Sequence, residues 1–298
     1  MVKRLISANA SEILQMSPTE LKQSIKASDG RVILAENVVT RTPVIPDITN
    51  AELSRAFGAD LILLNGLDAL EPKVVNVDEN KQVVKELKHL VARPIGVNLE
   101  PVDEVANMAE EKLNIAEGRQ ANTKTVQAIE QLGLDFVCMT GNPGTGVTNE
   151  KIVGAIENTH KHFSGLIIAG KMHSAGVDEP VITTEYVEKF INAGADIILV
   201  PSIGTVPGFD EHQLKEVVKA VHHNGGLVMS AIGTSQESSD PSTIRDFAIR
   251  NKICGVDIQH IGDAGYGGLA PVDNIFEMSK AIRGQRHTVS MVARSINR

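Results

Sequence analysis

The chain holds 298 residues, 42% of them hydrophobic and 22% charged, a balance that supplies a large core and excludes a disordered chain. Its 29 basic and 37 acidic residues leave a formal net charge of −8, Trp is absent, and only two Tyr and seven Phe occur. With no Lys/Arg-dense stretch and few aromatics to stack bases, nucleic acid is excluded as a general partner, while a small anionic metabolite stays open.

In chain order, Ser17-Pro18-Thr19-Glu20 is a capping box with Pro at the first helical position, so residues 1–30 read as an N-terminal helical extension. A cycle then begins: a short β-branched apolar run, a segment rich in Gly, Asn, Ser and Thr, and an amphipathic helix. Eight apolar runs follow one another: Val32–Ala35, Leu61–Leu64, Ile95–Leu99, Phe136–Met139, Leu166–Ala169, Ile197–Val200, Leu227–Ser230 and Val256–Gln259. Most are continuous rather than alternating, the mark of parallel strands covered on both faces. Thr49-Asn50-Ala51-Glu52 and Asp210-Glu211-His212-Gln213 repeat the cap spacing. Gly58, Gly133 and Gly194 each end a helix in a recurring phrase of Gly, Ala or Leu, Asp, then strand.

Eight such units close into an α/β fold, a (β/α)8 TIM barrel with an extra N-terminal helix across its base; an open doubly wound sheet is the alternative. The chain reads as a single domain over residues 1–298, with residues 284–298 a C-terminal tail. The long stretch from Pro101 to Asn122, holding Glu117, Gly118 and Arg119, reads either as a lid or as a surface insertion. Cys138 and Cys254 lie in apolar runs without metal-ligand spacing and read as buried thiols of a reducing compartment. Ser7, Asn9, Ser11 and Glu12 interrupt any leader-like apolar run, and no window approaches the ~20 apolar residues of a membrane span, so the expected setting is cytoplasmic, with no membrane partner.

Barrel active sites gather past the C-terminal ends of the strands. The polar residues there are Glu36, Asn37, Asn65, Asn98, Glu100, Thr140, Asn142, Lys171, His173, Ser202, Ser230, Thr234, Gln259, His260 and Asp263. The seventh and eighth loops, Gly233-Thr234-Ser235 and Asp263 through Gly265, Gly267 and Gly268, are glycine-rich ahead of helices opened by Pro241 and Pro271, an arrangement suited to a phosphate or carboxylate. Two further glycine-rich loops, Gly141–Gly146 and Gly204–Gly208, compete for that anion. Lys171 follows its strand directly and is expected at the mouth, able to polarise a carbonyl or form a Schiff base, or else to pair with a neighbouring carboxylate.

The unit order, with its glycine-rich ends at the seventh and eighth strands, resembles the phosphate-binding TIM-barrel enzymes. "AFGADLILLNG", from Ala56 to Gly66, looks like the start of the phosphoenolpyruvate mutase/isocitrate lyase group. The pairing "IGTSQE…HIGDAGYGG" is similar to an uncharacterised bacterial barrel family labelled haloacid dehalogenase-like hydrolase.

The reading that follows is an enzyme of lyase, aldolase or isomerase type on a small phosphorylated or carboxylated metabolite. Lys171, Glu36, Glu100 and His173 would be its catalytic groups. The loops from Gly233 to Ser235 and from Asp263 to Gly268, with Asn65, Asn98, Thr140, Ser202, Ser230 and His260, would bind the substrate. Two alternatives stay open: a hydrolase or lyase with Mg²⁺ or Mn²⁺ on Glu36, Glu100 and His260, with Asp257, Asp263 and His173 as further donors, and a non-catalytic metabolite-binding barrel. Homo-oligomerisation is also left open.

Overall fold

The computed structural model describes residues 2–78, 82–108, 111–174, 176–265 and 267–298. Eight parallel strands, β1 (Val32–Val38), β2 (Leu61–Asn65), β3 (Ile95–Leu99), β4 (Phe136–Met139), β5 (Leu166–Gly170), β6 (Ile197–Pro201), β7 (Leu227–Ile232) and β8 (Ile258–Ile261), follow each other in sequence order around a closed barrel. β8 returns to β1 with His260 beside Leu34. The open-sheet alternative is thereby set aside. Helices α1 (Ala10–Ile13) and α2 (Pro18–Lys26) precede the barrel. Outside it run α3 (Asn50–Phe57), α4 (Val83–Val91), α5 (Thr123–Gln131), α6 (Asn149–His162), α7 (Thr184–Ala193), α8 (Glu211–His223), α9 (Pro241–Ile253) and α10 (Val272–Ala293). The capping boxes at Ser17, Thr49 and Asp210 form as their spacing predicts.

Strand side chains divide by parity into two cores. One set, including Ile33, Ala35, Ile62, Leu64, Val97, Leu99, Ile167 and Ala169, packs against the helices. The other, including Val32, Leu34, Leu61, Leu63, Phe136, Cys138, Ile168, Leu199 and Met229, fills the barrel interior. Gly96 belongs to this inner packing: a Cβ there would stand 2.2 Å from the Phe136 ring. Leu5, Ala8, Ile13, Leu21 and Ile25 join the inner core, so the N-terminal extension plugs the base of the barrel as two short helices and a turn.

The recurring Gly-x-Asp phrase now has a physical meaning. Asp60, Asp135, Asp196 and Asp257 open the even-numbered strands at the base, and each carboxylate accepts the backbone N–H of the preceding odd-numbered strand, from Ile33, Ile95, Ile167 and Val228 at 2.9, 2.8, 3.1 and 2.8 Å. Each also meets a basic partner: Arg283, Lys88, Lys22 and His222 at 2.9, 2.7, 3.0 and 2.8 Å. Asp257, expected among metal donors at the mouth, is therefore at the opposite end, because it precedes β8 rather than following it.

The C-terminal stretch also differs from a free tail. The last helix bends at Gly284 (φ 70°, ψ 169°) and continues to Ala293, with Thr288 and Met291 buried. Arg294 donates to Asn9, and Ser11 N–H to the carbonyl of Arg298, so residues 284–298 close back onto the N-terminal plug. Among the described residues no helix is long and apolar enough to cross a membrane.

Candidate active site

At the C-terminal end of the barrel the inward parity changes from apolar to polar. Counting by twos from Leu34 reaches Glu36, from Leu63 Asn65, from Gly96 Asn98 and then Glu100, from Cys138 Thr140, and from Ile258 His260. The same count gives Gly170 at the end of β5 and Met172 past it, Pro201 in β6, and Ala231 and Gly233 in and past β7. Polar groups thus line the β8-β1-β2-β3-β4 side of the mouth, and small or apolar ones the other side. A cavity of about 210 Å³ lies between, lined by residues including Glu36, Asn65, Asn98, Thr140, Asn142, Met172, His173, Gly233, Thr234, Ser235, Glu237 and Asp263.

Two hydrogen-bonded chains organise this cavity. In the first, Glu36 (3% exposed) accepts from Asn98 Nδ2 on one oxygen and contacts Nε2 of His260 (0% exposed) at 2.9 Å on the other. Nδ1 of His260, Oδ1 of Asn98 and Oγ1 of Thr140 are buried without a partner among the described residues. In the second, Arg119 donates to Glu100 at 2.9 Å, Glu100 accepts from the amide and the Nδ2 of Asn142 at 3.0 and 2.9 Å, and Asn142 exchanges bonds with Asn65. Asn65 Nδ2 then donates to Asp263 at 2.7 Å. Glu100 does not line the cavity; it holds Asn142, which does.

The carboxyl groups here crowd one another. Burial first, then the charges of Glu36 and Glu237, push Asp263 up to about 8, against the hydrogen bond from Asn65. Burial also raises Glu237, with Glu36 adding a little, against the nearby backbone N–H groups of Glu237 and Ala264; both its oxygens are buried, and neither has a hydrogen bond among the described residues. Burial and Glu36 hold the Cys138 thiol well above its ordinary range, leaving it inert as expected.

Several expected site residues are elsewhere. Lys171 is one residue out of phase with Met172; its ammonium is buried against Glu179, whose carboxylate also accepts the Asn149 amide at the start of α6. Burial lowers its pKa while Glu179 resists the change. Ser202, out of phase with Leu199, accepts from Asn251 of α9 at 2.6 Å. Ser230, out of phase with Met229, contacts Gln259 at 3.5 Å. None of the three lines the cavity. Thr234 and Ser235 do line it, both with left-handed backbone (φ 59° and 64°) that non-glycine residues rarely adopt.

Gly265, Gly267 and Gly268 border a separate outer cleft of about 1010 Å³ with Val38, Thr40 and Arg41, and Asp263 and Ala264 line both this cleft and the inner cavity. The missing side chains of Gly267 and Gly268 serve packing on the first loop: a Cβ on Gly268 would stand 2.9 Å from Val38 and Arg41. Gly268 N–H donates to Gly265 O at 3.2 Å, so this amide is not free to grip an anion as the sequence suggests. Tyr266 lies outside the described residues.

The expected cation set does not assemble. Glu100 is engaged by Arg119 and Asn142, apart from Glu36 and His260, and among the described residues no three His, Cys, Asp or Glu side chains are grouped to hold a metal. The Pro101–Asn122 stretch overlies the loops past β4 and β5, with Asp103 N–H on Gly146 and Leu113 N–H on Gly144, both at 2.8 Å; residues 109 and 110 are outside the description.

Glu237 was not foreseen, since it falls beyond the glycine-rich segment of its loop and turns inward only through the short 3₁₀ turn Gln236–Ser238. Arg41 carries no pattern in the sequence that marks it.

No curated protein sequence matches the chain. Among solved structures it resembles 2,3-dimethylmalate lyase, a PEP mutase/isocitrate lyase superfamily member, at 12% identity and TM-score 0.51 over 83% of this chain and 81% of that one. It also resembles thiamine phosphate pyrophosphorylase from Pyrococcus furiosus, at 14% identity and TM-score 0.49 over 86% and 97%. The likeness to the lyase shows the barrel fold. The haloacid dehalogenase-like label expected from the two glycine-rich phrases is not supported, and β1 carries Ala35-Glu36-Asn37-Val38 rather than an Asp-x-Asp nucleophile motif. Residues 6–298 match one family model, and the chain belongs to that family, described as a domain of unknown function (DUF7916).

Proposed function

We propose that this barrel is an enzyme of lyase type that cleaves or forms a carbon–carbon bond in a small carboxylated metabolite. The observation that carries the reading is the meeting of two carboxyl groups from the ends of different strands on one cavity, each with its own hydrogen-bond partners. Glu36 is hydrogen-bonded by Asn98 and His260, while burial and its neighbours push Asp263 up to about 8. A carboxyl raised in this way suits a general acid, and a carboxylate paired with an imidazole on the same cavity suits a general base. A cavity of about 210 Å³ is below the usual range for drug-sized ligands and suits a compact metabolite.

In the cleavage direction the Glu36–His260 pair takes the proton of a substrate hydroxyl. The oxygen electron pair then forms a carbonyl as the adjacent carbon–carbon bond breaks. Asp263 delivers its proton to the carbon that leaves with the bonding electrons. Proton exchange with water returns Glu36 and Asp263 to their starting states. Asn65 and Asn142, braced by Glu100 and Arg119, hold Asp263 in position. Lys171 is not given a chemical step, because its ammonium is turned to Glu179. The lyase named among the structural neighbours is compatible with this reaction type.

The test is turnover of a panel of hydroxy- and keto-carboxylates followed by proton NMR. Glu36→Gln is expected to lower kcat by about 10²- to 10⁴-fold, the usual weight of a positioned base. Undiminished turnover in that variant, or tight binding with no turnover across the panel, overturns the reading.

A further inference from the structure

The inner cavity presents Glu36, Glu237 and Asp263 to its contents, and neither Lys nor Arg lines it among the described residues. A substrate carboxylate or phosphate placed there would meet a cluster of three carboxyl groups with neither Lys nor Arg on the cavity wall, an arrangement that electrostatics disfavours in a poorly solvated site. The outer cleft has the opposite character. Arg41 borders it together with Thr40 and Thr42, and its guanidinium has no carboxylate or hydrogen-bonding partner among the described residues. The cleft, at about 1010 Å³, is larger than the inner cavity and lies next to it, with Asp263 and Ala264 lining both.

We infer that Arg41 is the anchor for an oxyanion, a carboxylate or phosphate, on the distal end of a substrate whose neutral hydroxyl end enters the inner cavity past Asp263. This inference rests on the proton-transfer reading of the inner cavity and deepens it. It names an elongated substrate with its charge at one end and its reacting bond at the other. A guanidinium matches such oxyanions with two parallel hydrogen bonds, and the Thr40 and Thr42 hydroxyls are further donors on the same wall. The glycines at 267 and 268 act here by letting the eighth loop approach the first closely enough to form the cleft, through the bonds from Val38 N–H to Gly268 O at 2.9 Å and from Asn50 Nδ2 to Gly267 O at 2.8 Å.

The test is calorimetric titration of the full chain with inorganic phosphate and, separately, with succinate, which distinguishes the two oxyanions. The wild type is expected to bind at least one of them. Arg41→Ala should bind it about tenfold to a hundredfold more weakly, Arg41→Lys should fall between, and Glu36→Gln should bind it as the wild type does. Equal binding by Arg41→Ala, or no binding of either anion by the wild type, overturns the assignment. The two readings fail separately. Loss of anion binding in Arg41→Ala with full turnover in Glu36→Gln leaves the anchor standing and removes the mechanism; an inactive Glu36→Gln beside an Arg41→Ala that binds normally does the reverse.

Discussion

The two ends of this barrel treat the same chemical group in opposite ways. At the base, Asp60, Asp135, Asp196 and Asp257 each accept a backbone N–H and face a basic side chain. At the mouth, Glu36, Glu237 and Asp263 face each other, and Asp263 keeps its proton up to about 8. Carboxylates satisfied in full hold a fold together. Carboxyl groups buried close to like charges cost stability.

Substitutions can break this contrast at either end. The largest effect on folding is expected at Asp60, nearly fully buried with Arg283: Asp60→Ala strands the guanidinium and the Ile33 N–H, and should lower stability by about 3–5 kcal/mol in urea unfolding. Glu36→Gln should lose activity without a comparable loss of stability, since it relieves charge crowding at the mouth. If the two variants exchange these outcomes, the division of labour between the ends is wrong.

Lys171 sharpens the contrast from the side. Its pair with Glu179 braces the loop past β5 against α6, so Lys171→Met should cost about 3 kcal/mol of stability and leave kcat within tenfold of the wild type. A collapse of kcat with an unchanged melting temperature would return the lysine to the chemistry.

The smallest effect per step is the pH dependence due to Asp263. Its folded value of about 8 lies above the ordinary 3.8, so between these the folded chain keeps a proton that the unfolded chain releases. Stability from this group is therefore greatest at the acid end and falls as pH rises from about 4 to 8, by at most about 1.4 kcal/mol per pH unit and by less because the residue is partly exposed. Asp263→Asn should flatten that slope in melting curves taken at pH 5 and pH 8. In the wild type, turnover should decline as pH passes about 8, when the acid is lost.

Much of the fold was legible before any coordinates. The eight apolar runs became the eight strands, the caps at Ser17, Thr49 and Asp210 formed, and the N-terminal extension closed the base. The reason is that strand and helix signals are local. The site was legible in outline, because polar residues at strand ends mark a barrel mouth, and Glu36, Asn65, Asn98, Thr140, His260 and Asp263 do meet there. Lys171, Ser202 and Ser230 satisfied the same criterion and face away. Counting by twos from the inner apolar residues separates the two groups, a signal present in the chain but masked because both faces of every strand are apolar.

What the amino-acid order determined by itself is the repeating unit, its number and its polarity: eight strands, each followed by a polar end. Tertiary closure alone decided the contacts that matter for chemistry. Glu36 meets His260 across 224 positions and Asn65 meets Asp263 across 198, distances in the chain that no local pattern spans. The charges that keep Asp263 protonated come from other strands and loops, so its chemistry exists only once the barrel has closed and water has been excluded.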